Sequence, residues 1–178
     1  MNRIVAWVLA VGGAVGFVAS LVLTIEKIAL LKDPFYVPTC SINPVLSCGS
    51  IMKTAQAELF GFPNPLLGIA GFAVVTTLGV LLLAGVELPS WVWIGLQVGA
   101  TAGVAFVHWL IVESLYVIGA LCPYCMVVWV VTIPIFWYTT LRNIKPTFQY
   151  HSAVLLLWYL LVAAAVLQAF WFYFSSLV

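Results

Sequence analysis

Charge is what this sequence has least of. Only 6% of its 178 residues are charged, 6 Lys and Arg against 5 Asp and Glu, where a soluble globular domain carries roughly 25%. That shortage excludes a large soluble domain. The net charge of +1 names no partner, and without a basic cluster there is no surface for nucleic acid. A cleavable leader is missing too: the first apolar run is too long and lacks a small-residue cleavage site, so it reads as an uncleaved signal-anchor. No soluble βαβ setting surrounds the cysteines, which excludes a thioredoxin-type reading of them. No internal repeat stands out.

What remains is apolar. The chain is 65% hydrophobic with a mean hydropathy of +1.21, which predicts an all-α, polytopic membrane protein. A helix rises about 1.5 Å per residue against a hydrocarbon core of roughly 30 Å. On that measure five spans are expected, at 4–31, 66–84, 91–118, 122–141 and 152–174. Gly119 marks a turn, Pro134 a kink, and Trp91, Tyr138, Tyr150 and Tyr173 suit an interfacial belt. Gly12, Gly13, Gly16, Gly99 and Gly103 are expected to let helices approach closely. Glu26 and Lys27 fall near the far end of the first span, where a solvated interfacial role is expected and no pairing between them is required.

The one sizeable hydrophilic connection is 32–64. Beyond its turn formers, Ile51, Met52, Ala55, Leu59 and Phe60 recur at helical spacing, with Lys53, Gln56 and Glu58 between them. This predicts a short amphipathic helix that lies at the membrane interface or over the mouth of the bundle. Five spans place the termini on opposite sides. With Arg3, Arg142 and Lys145 in the cytoplasm, Cys40, Cys48, Cys122 and Cys125 all fall on the outer, oxidising side.

The cysteines form two pairs. Cys122-Pro123-Tyr124-Cys125 opens the fourth span, with Cys122 as N-cap and Pro123 at the first helical position. Unpaired N–H groups at a helix start favour a thiolate on Cys122. Three readings of the four cysteines follow. A zinc site would need C-x7-C with C-x2-C, which is not a typical spacing. A structural disulfide explains Cys40 and Cys48 but not the second pair. A thiol–disulfide relay explains both. A relay in a bilayer needs a two-electron acceptor, and a lipid quinone in the bundle mouth fills that role. Asn64, just before Pro65, suits either a helix N-cap or a polar contact to the quinone. His108 and Glu113, in the third span, are further ionisable candidates; His108 is the deeper and is expected to bond a neighbouring helix.

A C-x7-C loop after the first span, an Asn before the second and a C-x-x-C opening the fourth together resemble vitamin K epoxide reductase and its bacterial homologues, over roughly 1–142. The run Cys40-Ser41-Ile42-Asn43-Pro44-Val45-Leu46-Ser47-Cys48-Gly49-Ser50 is similar to the bacterial branch. The resemblance implies a four-helix bundle around a quinone, menaquinone or ubiquinone. It implies that Cys125 faces the quinone and forms the charge-transfer or covalent species with it. Cys122 would exchange with the loop through a transient Cys48–Cys122 disulfide, and Cys40 and Cys48 would take electrons from a thioredoxin-fold partner. Asn64 would bond a quinone carbonyl.

Two departures matter. The animal enzymes have Tyr four residues after the second cysteine of the C-x-x-C, where this chain has Trp129, which can pack on a ring but is no phenol donor. Many bacterial homologues carry a fused thioredoxin-like domain after a fifth span. Here 143–178 holds a cytoplasmic loop and the fifth span, so a separate DsbA-like partner is expected. The resulting expectation is a multi-pass protein of the bacterial inner membrane, a quinone-dependent thiol oxidase that works like DsbB and acts at the extracytoplasmic face. The alternatives are a quinone or vitamin K epoxide reductase proper, and a non-enzymatic protein with structural disulfides.

Overall fold

The computed structural model describes residues 2–144 and 150–171. Lys145, Tyr173 and the last part of the predicted fifth span lie outside them. Long apolar runs with few helix breakers give six α-helices among the described residues. They are α1 (Asn2–Lys32), a short α2 (Cys48–Met52), α3 (Pro65–Leu83), α4 (Ser90–Val112), α5 (Pro123–Ile144) and α6 (His151–Ala169). A π-helical turn, Glu113–Ile118, extends α4, and a 3-10 turn, Ala55–Glu58, follows α2. Among the described residues, five helical segments are long and apolar enough to cross a membrane. The protein is therefore an all-α polytopic membrane protein, as its hydropathy predicts.

Helices α1 and α3 pack most closely, and glycine makes that possible. A Cβ on Gly79 would collide with the backbone of Ala10, and one on Gly13 would meet Thr76 at 2.6–3.0 Å. Between transmembrane helices, where lipid gives no hydrophobic drive, such close approach supplies the van der Waals contact that holds the pair. Val5, Leu9, Phe72, Trp93, Leu96 and Ile135 fill the core that α1, α3, α4 and α5 share. Gly99 departs from expectation: nothing lies within 4 Å of a Cβ built there, because it faces an internal cavity rather than a neighbouring helix. Helix α5 runs unbroken through Pro134. Helix α6 buries none of its own residues and lies outside the four-helix core.

Alternation of direction along the chain brings the end of α1, the start of α3, the end of α4 and the start of α5 to one end of the bundle, under the 33–64 connection. The predicted amphipathic helix in that connection is two pieces. Lys53 closes α2 by donating its backbone N–H to Gly49 and Ile51, Thr54 sits in extended conformation, and the chain resumes as the 3-10 turn. Both pieces meet Lys27 of α1, α2 through the Met52 carbonyl and the 3-10 turn through Glu58.

Candidate redox site

The geometry of the site begins with backbone. Gly119 adopts a left-handed φ of 68° at the end of the π-helical turn, and Gly119 and Ala120 both donate N–H to the carbonyl of Ser114. The buried Ser114 hydroxyl returns a bond to the Ala120 carbonyl at 2.5 Å. This knot aims the next residue, Leu121, at the loop. There Leu121 forms a parallel bridge with Leu46: Leu121 N–H donates to Val45 at 2.7 Å, and Ser47 N–H donates to Leu121 at 2.9 Å. Ser47 and Leu121 each immediately precede a cysteine. The bridge therefore splints Cys48 to Cys122.

The sulfurs follow. Cys40 and Cys48 form a disulfide with Cα atoms 5.6 Å apart, while Cys122 and Cys125 are free thiols. The Sγ atoms of Cys48 and Cys122 are 3.0 Å apart, within the near-attack range of about 3–3.5 Å. Cys48 and Cys122 are wholly buried and Cys40 nearly so. The sulfurs of Cys40, Cys48 and Cys122 lie within 4.8 Å of one another, but the disulfide takes the first two out of the pool of thiolate ligands.

Cys122 is the cap that the sequence predicts. Its carbonyl accepts from Met126 N–H at 3.0 Å, and its Sγ accepts from Cys125 N–H at 3.4 Å. The side-chain hydrogen bond with Cys125 holds the Cys122 thiol below its ordinary value; burial opposes this, and the backbone N–H groups of Cys125 and Tyr124 assist it. The free pair thus has one member, Cys122, whose sulfur is set directly against the disulfide.

Beneath the sulfurs is a cavity of about 880 Å³, walled by α1, α3, α4 and α5. Cys122, Cys125, Asn64, Gln56 and Lys27 contribute polar groups at the cysteine end, whereas Leu78, Trp91 and Val92 line the other. Trp129 is buried and lines the cavity too. Thus Cys40, Cys48, Cys122 and Cys125 come together, and Asn64 and Trp129 share the cavity with Cys125.

Asn64 does not act as a side-chain cap. It precedes α3, but its side chain makes no cap bond. Nδ2 instead donates to the Gln56 carbonyl at 2.6 Å, and Oδ1 accepts from Leu59 N–H at 3.2 Å. Asn64 therefore holds the 3-10 turn as a roof over the cavity. Glu113 holds the same roof from another side, accepting from Gln56 Nε2 at 3.1 Å. Phe60 packs on Phe106 of α4, ring centres 5.9 Å apart.

The solvated role expected for Glu26 and Lys27 is overturned: both are buried, at 6% and 7% exposed. Glu26 accepts from the Tyr36 hydroxyl at 3.0 Å, a contact that raises the Tyr36 phenol above its ordinary value, and from Thr39. Lys27 donates to the Met52 carbonyl at 2.6 Å and pairs with Glu58 at 2.9 Å. Two opposite charges at the end of an otherwise apolar span were the signal. Their partners, in a loop of little periodicity, could not be read from sequence. Ser114 and Gln56 carried no signal of their own.

A disulfide held against a vicinal thiol pair, at the mouth of an apolar cavity between membrane helices, defines a redox-active membrane protein. The chain belongs to the vitamin K epoxide reductase family, whose family model matches residues 7–140. That match runs from α1 through most of α5 and contains all four cysteines and Asn64. A search of curated proteins found no match.

Proposed function

We propose that this protein is a quinone-dependent thiol oxidase that reoxidises a thioredoxin-fold, disulfide-forming partner at the extracytoplasmic face of a bacterial inner membrane. The observation that carries the reading is the 3.0 Å contact between Cys48 Sγ and Cys122 Sγ, with Cys125 lining the cavity beside it.

The cavity suits a quinone. Its volume of about 880 Å³ falls within the roughly 300–1,000 Å³ of small-molecule sites, and its walls are largely apolar. A quinone bound there would accept two electrons and two protons from a dithiol. Cys125 would present its thiol to the ring and Trp129 would pack on it. Asn64 uses one amide N–H on Gln56, which leaves the other for a carbonyl oxygen.

The protein's own steps are thiol–disulfide exchanges. A partner dithiol reduces Cys40–Cys48 and leaves as a disulfide. The Cys48 thiolate then attacks Cys122 Sγ of an oxidised Cys122–Cys125 pair, forming Cys48–Cys122 and expelling the Cys125 thiolate. Cys40 attacks Cys48 in turn, reforming the loop disulfide and releasing Cys122. The outcome is an oxidised loop and a reduced Cys122/Cys125 pair, which is the redox state of this structure.

Quinone absorbance tests the proposal when purified protein is mixed with a reduced thioredoxin-fold donor. The wild type should consume quinone in proportion to donor thiols, and Cys125→Ala should not. Quinone consumption that persists in Cys125→Ala would overturn it. Loss of added vitamin K epoxide in the same assay would favour an epoxide reductase instead.

A further inference from the structure

Two neighbouring residues of α1 grip the redox loop on opposite sides of its disulfide. Among the described residues, the side-chain hydrogen bonds of Glu26 go to the arm entering Cys40: the Tyr36 hydroxyl at 3.0 Å, Thr39 Oγ1 at 2.5 Å and Thr39 N–H at 3.3 Å. The polar bonds of the Lys27 ammonium, again among the described residues, go to the arm leaving Cys48: the Met52 carbonyl at 2.6 Å and the Glu58 carboxylate at 2.9 Å. The two sets share no residue.

We infer that Lys27 is a positioning residue for exchange between Cys48 and Cys122, while Glu26 controls access of the external thiol to Cys40. The inference rests on the relay reading above. Cys48 begins α2 and Met52 ends it, so fixing the Met52 carbonyl fixes a helix only 5 residues long, with Cys48 at its head. The Ser47–Leu121 bond at 2.9 Å fixes the residue before Cys48. The start of α2 is tied back to the loop by Gly49 N–H on Ser41 Oγ at 3.2 Å. Lys27 is the support that holds its far end, so without it that end of α2 can swing and shift Cys48 Sγ relative to Cys122 Sγ.

Cys40 poses the opposite problem. It is only 5% exposed, and Thr39 precedes it directly. A donor thiolate that attacks Cys40 Sγ forms a mixed disulfide, breaks the Cys40–Cys48 bond and leaves Cys48 as thiolate. A second donor thiol then releases Cys40 and leaves the donor oxidised. For the first attack the 36–39 arm must lift, and the bonds that resist lifting are those to Glu26. One residue therefore favours the inner exchange, and its neighbour restrains the outer one.

The test measures the two exchanges separately in full-length protein. Dithiothreitol serves as donor, with alkylation mass shift reporting reduction of Cys40–Cys48 and quinone absorbance reporting onward transfer. Lys27→Met should slow onward transfer by about tenfold or more, as expected for a loss of near-attack geometry, with loop reduction unchanged. Lys27→Arg should restore most of the rate. Glu26→Ala should speed loop reduction several-fold. Should Lys27→Met fail to fold, Glu58→Gln weakens the same support from its more exposed end and should slow onward transfer alone. Onward transfer at the wild-type rate in a folded Lys27→Met or Glu58→Gln protein would overturn the inference, as would Glu26→Ala leaving loop reduction unchanged. A failed relay reading looks different: there Cys122→Ser itself would still reduce quinone.

Discussion

Ser47 donates its backbone N–H to the carbonyl of Leu121 at 2.9 Å, and the next residue on each side of that bond is a cysteine. A main-chain bond between two loops thus sets a side-chain encounter, the 3.0 Å approach of Cys48 Sγ to Cys122 Sγ. Backbone suits the task because it has far less freedom than a side chain.

If electrons cross at that encounter, removing its inner sulfur should trap them on the loop. In Cys122→Ser, reduced donor should convert Cys40–Cys48 to two thiols that stay reduced, and quinone reduction should fall to background. Alkylation mass shift reads the first and quinone absorbance the second. An unchanged quinone rate would rule out Cys122 as the link.

The lowered Cys122 thiol has a named cause, which makes its pH dependence testable. With the loop disulfide intact, only Cys122 and Cys125 among the cysteines titrate. Ultraviolet thiolate absorbance should show a first ionisation below that of an ordinary thiol. The Cys125 hydrogen bond is the leading cause, so Cys125→Ala should move the Cys122 ionisation upward and leave less thiolate at neutral pH. A midpoint that stays put in that variant would assign the shift to the backbone N–H groups instead.

Much of this site could be read along the chain. Cys122 as cap, Pro123 at the helix start and Gly119 at the turn depend on local backbone chemistry, so they are written where they act. The five spans depend on hydropathy, which is equally local. The readings that failed depend on distant partners. Glu26 finds Thr39 thirteen residues on, Lys27 finds Met52 at twenty-five, and Asn64 turns back to Gln56 instead of capping its own helix. Lys53 and Thr54 break what helical spacing presented as one helix, because α2 must follow Cys48 while the 3-10 turn must roof the cavity.

Asn64 should show both of its bonds when removed. Asn64→Ala frees the Gln56 carbonyl and the Leu59 N–H, at about 0.5–1.5 kcal/mol each, and loosens the roof over the cavity. The apparent KM for quinone should rise more than kcat falls. Asn64→Asp keeps an acceptor for Leu59 but loses the donor, so it should fall between Ala and wild type in stability while binding quinone no better than Ala. Wild-type kinetics in Asn64→Ala would remove Asn64 from the quinone site.

The contact between α1 and α3 gives a prediction independent of redox chemistry. A Cβ on Gly79 would run into the backbone of Ala10, and backbone cannot swing aside as a side chain can. Gly79→Val should therefore force the helices apart and cost about 1–3 kcal/mol, the usual range for overpacking. Gly99→Ala, on an open cavity wall, should cost little stability. Thermal unfolding in detergent compares the two, and equal losses would show that the α1–α3 contact is not set by glycine.

His108 tests how an ionisable residue inside a membrane should be read. Such residues are functional candidates by default, but the contacts of His108 are structural. Its Nε2 accepts from Trp158 Nε1–H of α6 at 2.9 Å, so its proton sits on Nδ1, facing the Val104 carbonyl at 2.8 Å. Both ring nitrogens are used, and the ring does not line the cavity. Helix α6 buries no residue of its own; this bond joins it to α4 beside the apolar contacts of Val162, Ala165, Val166 and Ala169 with the cluster that holds Val107 and Ile111. His108→Leu and Trp158→Phe should each lower stability by about 0.6–2 kcal/mol, the range for interhelical bonds in membranes. The double variant should lose little more than either alone, since the second substitution removes a partner already gone. Donor-dependent quinone reduction should stay at the wild-type rate in all three proteins. A fall in that rate without a fall in unfolding temperature would give His108 a chemical role that its contacts do not predict.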